Sequence, residues 1–93
     1  MGLIVQKFGG TSVANAELIM NAAKIVTKTY ADGNDVVVVV SAQVDMTDQL
    51  IKKAKDINKS GSKREMDVLL SSGEQISIAL LAMAIESLGY PVV

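Results

Sequence analysis

Residues 7–12 bring together the groups that hold a phosphate in proteins. An apolar run ends at Phe8, and Gly9 and Gly10 follow it. These glycines let backbone amides approach an anion closely. The amino terminus of a following helix adds the positive end of its dipole, and Lys7 adds a full positive charge. The spacing is neither that of a P-loop nor GxGxxG. Such turns are more often structural, but a lysine at the carboxyl end of a buried strand, where open α/β sheets bind ligands, favours a phosphate site that includes Ser12.

A second group of hydroxyl side chains follows the second predicted strand. Ser41 comes directly after a run of valines, and Thr47 lies near the start of the next predicted helix. Both would open on the same edge of the sheet as Lys7, where hydroxyls and loop amides can bind a small polar substrate. The alternative interpretation is an ordinary loop with Thr47 as a helix N-cap.

Glu74 is a lone acid in the most apolar part of the chain, between Leu70 and Ile76. One interpretation is an ordinary solvated carboxylate on the surface. A partly buried carboxylate would need a positive partner, because desolvation of an unpaired charge is costly. The ammonium group of an amino-acid substrate would be such a partner.

The hydrophobic pattern predicts a strand, a helix and a second strand as the scaffold for the first two groups. The first strand begins at Leu3 and ends at Phe8. Thr11 or Ser12 would cap the helix, and Gly33 would end it in a left-handed conformation. Consecutive valines at residues 36–40 predict a strand covered on both faces, as in a parallel sheet. The predicted apolar face of the helix consists of Leu18, Ile19, Ala22, Ile25, Val26 and Tyr30.

The second half of the chain reads as two helices and the start of a strand. A loop from Ser41 to about Met46 leads to a helix that Thr47 or Asp48 would cap. A long helix then begins near Lys63, is weakened at residues 71–73, and is apolar nearly all round at residues 76–85, which predicts packing on several sides. Gly89 would end it, and residues 90–93 would start a third strand. The inward residues predicted for the shorter helix are Leu50, Ile51, Ala54 and Ile57.

Composition excludes several classes of function. Apolar residues make up 49% of the chain, which excludes a disordered protein. Ten acids and nine bases give no global field for nucleic acid or an anionic membrane. Histidine and cysteine are both absent, so catalysis would depend on lysine, carboxylates, hydroxyls and backbone amides. Residues 36–40 are too short to span a bilayer, and without a signal peptide the expected location is cytoplasmic. The bases of residues 52–64 most simply form a solvated surface.

The three groups together resemble the aspartate kinases. The resemblance rests on Lys-Phe-Gly-Gly-Thr-Ser at residues 7–12, Val-Val-Val-Ser-Ala at residues 38–42 followed by a threonine, and Leu-Leu-Ser-Ser-Gly-Glu at residues 69–74. It covers nearly the whole chain and implies an α/β amino-acid-kinase fold, a three-layer αβα sandwich with a mainly parallel sheet. It also implies phosphorylation of the side-chain carboxylate of L-aspartate by ATP, at the start of lysine, threonine and methionine biosynthesis.

The resemblance also implies roles for single residues. Lys7 would stabilise the ATP phosphates in the transition state, Gly9 and Gly10 would offer them backbone amides, and Ser12 would lie beside them. On the substrate side, Ser41 and Thr47 would contact L-aspartate and Glu74 would pair with its amino group. Magnesium would arrive with ATP, and neither a prosthetic group nor a protein metal site is implied. The partners would be L-aspartate, ATP and other copies of the same chain in a homo-oligomer, with no nucleic acid or membrane.

The loop after Ala42 departs from the pattern of these kinases. The usual loop has a glycine or other small residue at the position of Val44 and threonine at the position of Met46. Valine is more restricted in its backbone than glycine, so the resemblance does not determine the conformation of residues 43–46 or their effect on substrate binding.

The resemblance implies that residues 1–93 are the amino-terminal part of one catalytic domain. The adenine pocket and the regulatory domains would then lie outside them. Two other interpretations remain. One is a non-catalytic module of the same fold that acts in oligomerisation or regulation. The other is a general nucleotide-binding βαβ protein, which would bind nucleotide without any dependence on aspartate.

We predict that the isolated 93 residues have no kinase activity, because half of the expected active site would be missing. The check is an assay of aspartate-dependent ATP turnover, together with the intact mass of the polypeptide made from the native gene. Robust turnover by these residues alone would contradict the prediction.

Overall fold

A computed structural model describes residues 2–93 of the chain. The elements in order are β1 (Leu3–Phe8), a 3-10 turn (Gly10–Val13), α1 (Ala16–Ala31), β2 (Asp35–Val40), α2 (Met46–Ile57) and α3 (Lys63–Ser87). The predicted strands, the helix between them and the long helix from Lys63 are therefore confirmed.

The two strands pair in parallel, from Leu3 beside Asp35 to Phe8 beside Val40. This register places the carboxyl ends of both strands at the same level, so Lys7 lies beside Val39. The predicted βαβ unit is confirmed, with α1 connecting the paired strands.

Helices cover only one face of this sheet. Along β2, Val36, Val38 and Val40 are at least half-buried, whereas the side chains of Val37 and Val39 are 48% and 46% exposed. The expectation that the valine strand would be covered on both faces is therefore wrong for residues 2–93, because α1 and α3 pack on the same side and no described element covers the other.

The core lies between α1, α3 and the covered face of the sheet. Small residues on α1 let the two helices pack closely, and Leu81, Ala84 and Ile85 of α3 face them. The predicted α1 face is confirmed at Ile19, Ala22 and Val26, but Ile25 and Tyr30 are exposed. The buried apolar residues are Val13, Ile19, Ala22, Ala23, Val26, Val40, Leu81, Ala84 and Ile85.

The predicted helix caps are wrong for α1 and α2. Asn15 caps α1, since its side chain accepts a hydrogen bond of 2.9 Å from the Leu18 N–H. Thr11 and Ser12 cannot do so because they lie within the 3-10 turn. Helix α2 begins one residue before Thr47, after Asp45, which adopts φ +67° and makes no side-chain cap.

Helix α3 runs without a break through residues 71–73, so the expected weak point does not interrupt it. Its predicted packing on several sides is wrong within residues 2–93, because Ile76, Ile78 and Met83 are exposed. Of the predicted inward residues of α2, Ile57 is 88% exposed. Among the described residues, α3 is also the one helix that could cross a membrane by length and composition, a test that core helices of soluble proteins also pass.

The chain leaves α3 through Gly89, which has φ +89°, as the predicted helix end requires. Residues 90–93 form no strand, so the expected third strand is not seen in the described chain. They instead line a cleft of about 530 Å³ against β2, α1 and α3. The ring of Tyr90 meets that of Tyr30 edge to face, with centroids 5.8 Å apart.

Candidate functional site

The 3-10 turn Gly10–Val13 and the β2–α2 loop, residues 41–45, are joined by hydrogen bonds. The Ser41 N–H continues the sheet ladder by donating to the Phe8 carbonyl oxygen at 3.1 Å. Farther along, the Val44 N–H donates to the Gly10 carbonyl oxygen at 3.2 Å. Two segments that the sequence nominated separately are therefore one structural unit at the carboxyl edge of the sheet.

Gly10 is required by this close approach of two backbones. A Cβ atom at position 10 would lie 2.5 Å from the Ala42 carbonyl oxygen and 3.1 Å from the Val44 nitrogen. Real Cβ atoms do not approach backbone atoms so closely, so a larger residue would push the loop away. Gly9 is different, because a Cβ atom there would meet nothing within 4 Å.

The third nominated segment reaches the same place through Gly73, which is buried. A Cβ atom there would lie 3.1 Å from the Ala42 Cβ and 3.2 Å from the Met46 Cγ. Helix α3 thus contacts the side chain of Ala42, whereas Gly10 contacts its carbonyl oxygen. All three segments predicted to form the site therefore meet around Ala42.

The phosphate side of the predicted site is accessible. Lys7 and Gly9 are exposed, and Lys7 alternates onto the uncovered face of the sheet beside Val39. Gly10 is half-buried. Ser12 is exposed, and its N–H donates to the Gly9 carbonyl oxygen at 3.0 Å. Its hydroxyl makes no hydrogen bond within residues 2–93.

The substrate side is partly accessible. Ser41 is half-buried, whereas Thr47 in the first turn of α2 and Glu74 on α3 are exposed. Exposure of Glu74 agrees with the solvated interpretation and excludes a buried carboxylate within residues 2–93. In that range no hydrogen bond or ion pair joins Lys7 or Glu74 to another side chain. Nor does any group of three metal-ligating side chains occur there.

The β2–α2 loop contains a left-handed residue, and it is not Val44. The left-handed residue is Asp45, with φ +67°, and it is the one non-glycine residue with positive φ in the described chain. Aspartate tolerates this region better than a β-branched valine, because its short polar side chain can bond locally. Val44 itself lies outside the left-handed region, so a valine fits this position of the loop.

Sequence reasoning did not identify Gln43 as part of the site. Its side-chain N–H donates to the Val13 carbonyl oxygen at 2.9 Å, across thirty residues of sequence. No local pattern predicts this bond, because a glutamine in a loop has many possible partners. Ala42 was quoted only as part of a motif, although both glycines pack against it.

Comparison with known proteins agrees with this arrangement. The sequence profile of the amino acid kinase family matches residues 2–93. The chain is 58% identical to the aspartokinase of Geobacillus stearothermophilus over 93 residues, which are 100% of this chain and 23% of that protein. It is 55% identical to the aspartokinase of Corynebacterium glutamicum over 89 residues, 96% of this chain and 21% of that one.

A solved structure shows the same fold. The crystal structure of aspartate kinase from Synechocystis matches with a TM-score of 0.93 and 49% identity, over 98% of this chain and 16% of that chain. The chain belongs to the amino acid kinase family, and the predicted α/β amino-acid-kinase fold is confirmed. It spans less than a quarter of the length of these relatives.

We predict that Gly10→Ala destabilises the protein, whereas Gly9→Ala does not. The added methyl group at position 10 would clash with backbone that cannot rotate away, and such overpacking costs about 1–3 kcal/mol. The added methyl group at position 9 would enter open space. The free energy of unfolding of both variants, measured by denaturant titration, tests this contrast. Equal effects of the two substitutions would contradict the close packing of the turn on the loop.

Proposed function

We propose that this chain forms part of an aspartate kinase active site. In the reaction, a carboxylate oxygen of L-aspartate attacks the γ-phosphorus of ATP, the bond to the bridging oxygen breaks, and 4-phospho-L-aspartate and ADP leave. The observation that carries the proposal is the meeting of residues 7–12, 38–42 and 69–74 around Ala42. Similarity to aspartokinases of Geobacillus stearothermophilus and Corynebacterium glutamicum supports it.

The phosphate half of the proposed site is the turn after β1. Lys7 is an exposed cation at the carboxyl end of the strand, and Gly9 leaves open space above the backbone. A cation there would neutralise charge that develops on the transferring phosphoryl group. The amides of Gly9 and Gly10 and the hydroxyl of Ser12 would complete the contacts to ATP, which would arrive with Mg²⁺.

The substrate half is the β2–α2 loop with the adjoining part of α3. Ser41 and Thr47 would donate hydrogen bonds to aspartate, and Glu74 would pair with its ammonium group. The contact of Gly73 with Ala42 brings the helix that carries Glu74 against the loop that carries Ser41. Glu74 follows Gly73 directly on this helix and is exposed, which supports its proposed role as the partner of the ammonium group.

The chemistry suits a chain without histidine. The nucleophile is a carboxylate that is already ionised at neutral pH, so the reaction needs no general base. Phosphoryl transfer depends mainly on positioning and charge neutralisation. Because the chain corresponds to 23% of the Geobacillus stearothermophilus relative, the proposal assigns it these two half-sites within the amino-terminal part of one catalytic domain. The active form is proposed to be a cytoplasmic homo-oligomer.

A non-catalytic role in association is the second candidate. The uncovered face of the sheet favours it, because Leu3, Val5, Val37 and Val39 together expose an apolar surface. An association module would need these residues and would not need Lys7.

We predict that Lys7→Ala, in the protein expressed from its own gene, lowers kcat about a hundredfold to a thousandfold. This is the usual effect of removing one group that stabilises transition-state charge. Stability should not change, because Lys7 is exposed. Lys24→Ala is the matched control on the exposed side of α1. Unchanged turnover in Lys7→Ala, with the protein folded and oligomeric, would favour the association module.

We predict that Glu74→Gln raises the KM for L-aspartate about tenfold or more, since charged hydrogen bonds contribute more than neutral ones. The KM for ATP should stay within about twofold if Glu74 meets only the amino group of the substrate. Glu86→Gln, an exposed position on the same helix, is the control. A similar rise in both KM values would contradict the assigned role.

A further inference from the structure

The side chain of Gln43 bridges the two halves of the proposed site. Its Nε2 group donates to the Val13 carbonyl oxygen at 2.9 Å. Val13 ends the 3-10 turn and is fully buried, with 0% exposure, so the acceptor is held in the core. Gln43 is half-buried and lies between Ser41 and the first turn of α2.

Among residues 2–93, this bond is one of three that join the loop to β1 and the 3-10 turn. The other two are backbone bonds, from the Ser41 N–H to Phe8 and from the Val44 N–H to Gly10. The Gln43 bond is the one of the three that depends on a side chain. The loop then turns through Asp45 at φ +67°, a conformation that L-residues adopt only when their surroundings hold them there.

We propose that Gln43 is a positioning residue for the aspartate kinase reaction, one that holds the substrate loop at a fixed distance from the phosphate turn. The inference rests on the proposed function. Gln43 itself contacts neither substrate in this scheme. It acts through Ser41 and Thr47, whose places relative to the phosphate turn depend on the loop between them.

The expected consequence is a loss of alignment rather than a loss of fold. The core does not include the Gln43 side chain, and the sheet ladder remains intact without it. The hydroxyls of Ser41, in the loop, and Thr47, which follows it in α2, would however occupy a wider range of positions relative to the phosphates. Reactions between two bound groups are sensitive to displacements of about 1 Å, so catalytic efficiency should fall although both half-sites are present.

The first experiment compares Gln43→Met with Gln49→Met in the protein expressed from its own gene. Methionine keeps the length of the side chain but cannot donate the bond. Gln49 is exposed on α2 and makes no side-chain hydrogen bond among residues 2–93, so it is a matched control. For Gln43→Met we expect a fall of roughly three- to tenfold in kcat/KM for both substrates, the effect of one net hydrogen bond. Gln49→Met should stay within about twofold of the unmutated protein.

The second experiment needs no activity. Amide hydrogen exchange at Val44 reports whether the loop stays on the turn, because this N–H is bonded to Gly10. Exchange should be roughly three- to tenfold faster in Gln43→Met and unchanged in Gln49→Met. Gln43→Asn, which keeps the amide but is one methylene shorter, should behave like Gln43→Met and serves if that variant does not fold.

The two experiments distinguish failure of the Gln43 role from failure of the proposed aspartate kinase function. Faster exchange together with lower kcat/KM supports a positioning role. Normal kinetic constants in a folded Gln43→Met or Gln43→Asn protein overturn the positioning role. A lower melting temperature with normal kinetic constants per folded molecule overturns it as well, because Gln43 would then only stabilise the fold. Absence of aspartate-dependent turnover in the unmutated protein overturns the proposed function instead, and the exchange at Val44 still decides whether Gln43 holds the loop.

Discussion

The contact between the backbones of Gly10 and Ala42 is the constraint on which the geometry of the site depends. Parallel pairing brings the ends of β1 and β2 to one level, but it does not decide how the next residues pack. The missing Cβ at Gly10 lets the turn meet the Ala42 carbonyl, and the missing Cβ at Gly73 lets α3 meet the Ala42 side chain. The Ala42 side chain must itself be small, because its Cβ would lie only 3.1 Å from a Cβ atom at position 73. The 3-10 turn, the loop and α3 can thus pack together because positions 10 and 73 are glycines.

The uncovered face of the sheet gives Lys7 an unusual setting. In the register of the strands, Lys7 continues a row of exposed apolar residues that includes Val5, Val37 and Val39. Large contiguous apolar patches often mark interaction sites in folded proteins, which is the basis of the association module proposed above. A layer that covered the apolar residues would have to leave the ammonium group of Lys7 open to a phosphate, because burial of an unpaired charge is costly.

Sequence reasoning could identify the elements and the segments of the site, but not the contacts between them. The run of valines predicts β2, and the helical spacing of apolar residues predicts α1, because buried positions recur at a regular spacing along the sequence. The sequence did not predict the N-caps of α1 and α2, because several polar residues that can cap a helix lie near the first turn of each. Tertiary contacts of the 3-10 turn and the β2–α2 loop decide which residue takes the N-cap position. The bond from Gln43 to Val13 and the approach of Gly73 to Ala42 are nonlocal, so no period records them.

The charged groups of the proposed site are not used to hold the fold. The one ion pair among residues 2–93 joins Lys28 and Asp32 on the exposed end of α1, away from the strand ends. Hydrogen bonds of the backbone, one glutamine amide and close glycine contacts hold the turn, loop and helix together instead. Lys7 and Glu74 make no ion pair within residues 2–93, so in the proposed function both side chains are available to a ligand. The proposed substrates match these two charges: the phosphates of ATP would lie at Lys7, and the ammonium group of an amino acid would lie at Glu74.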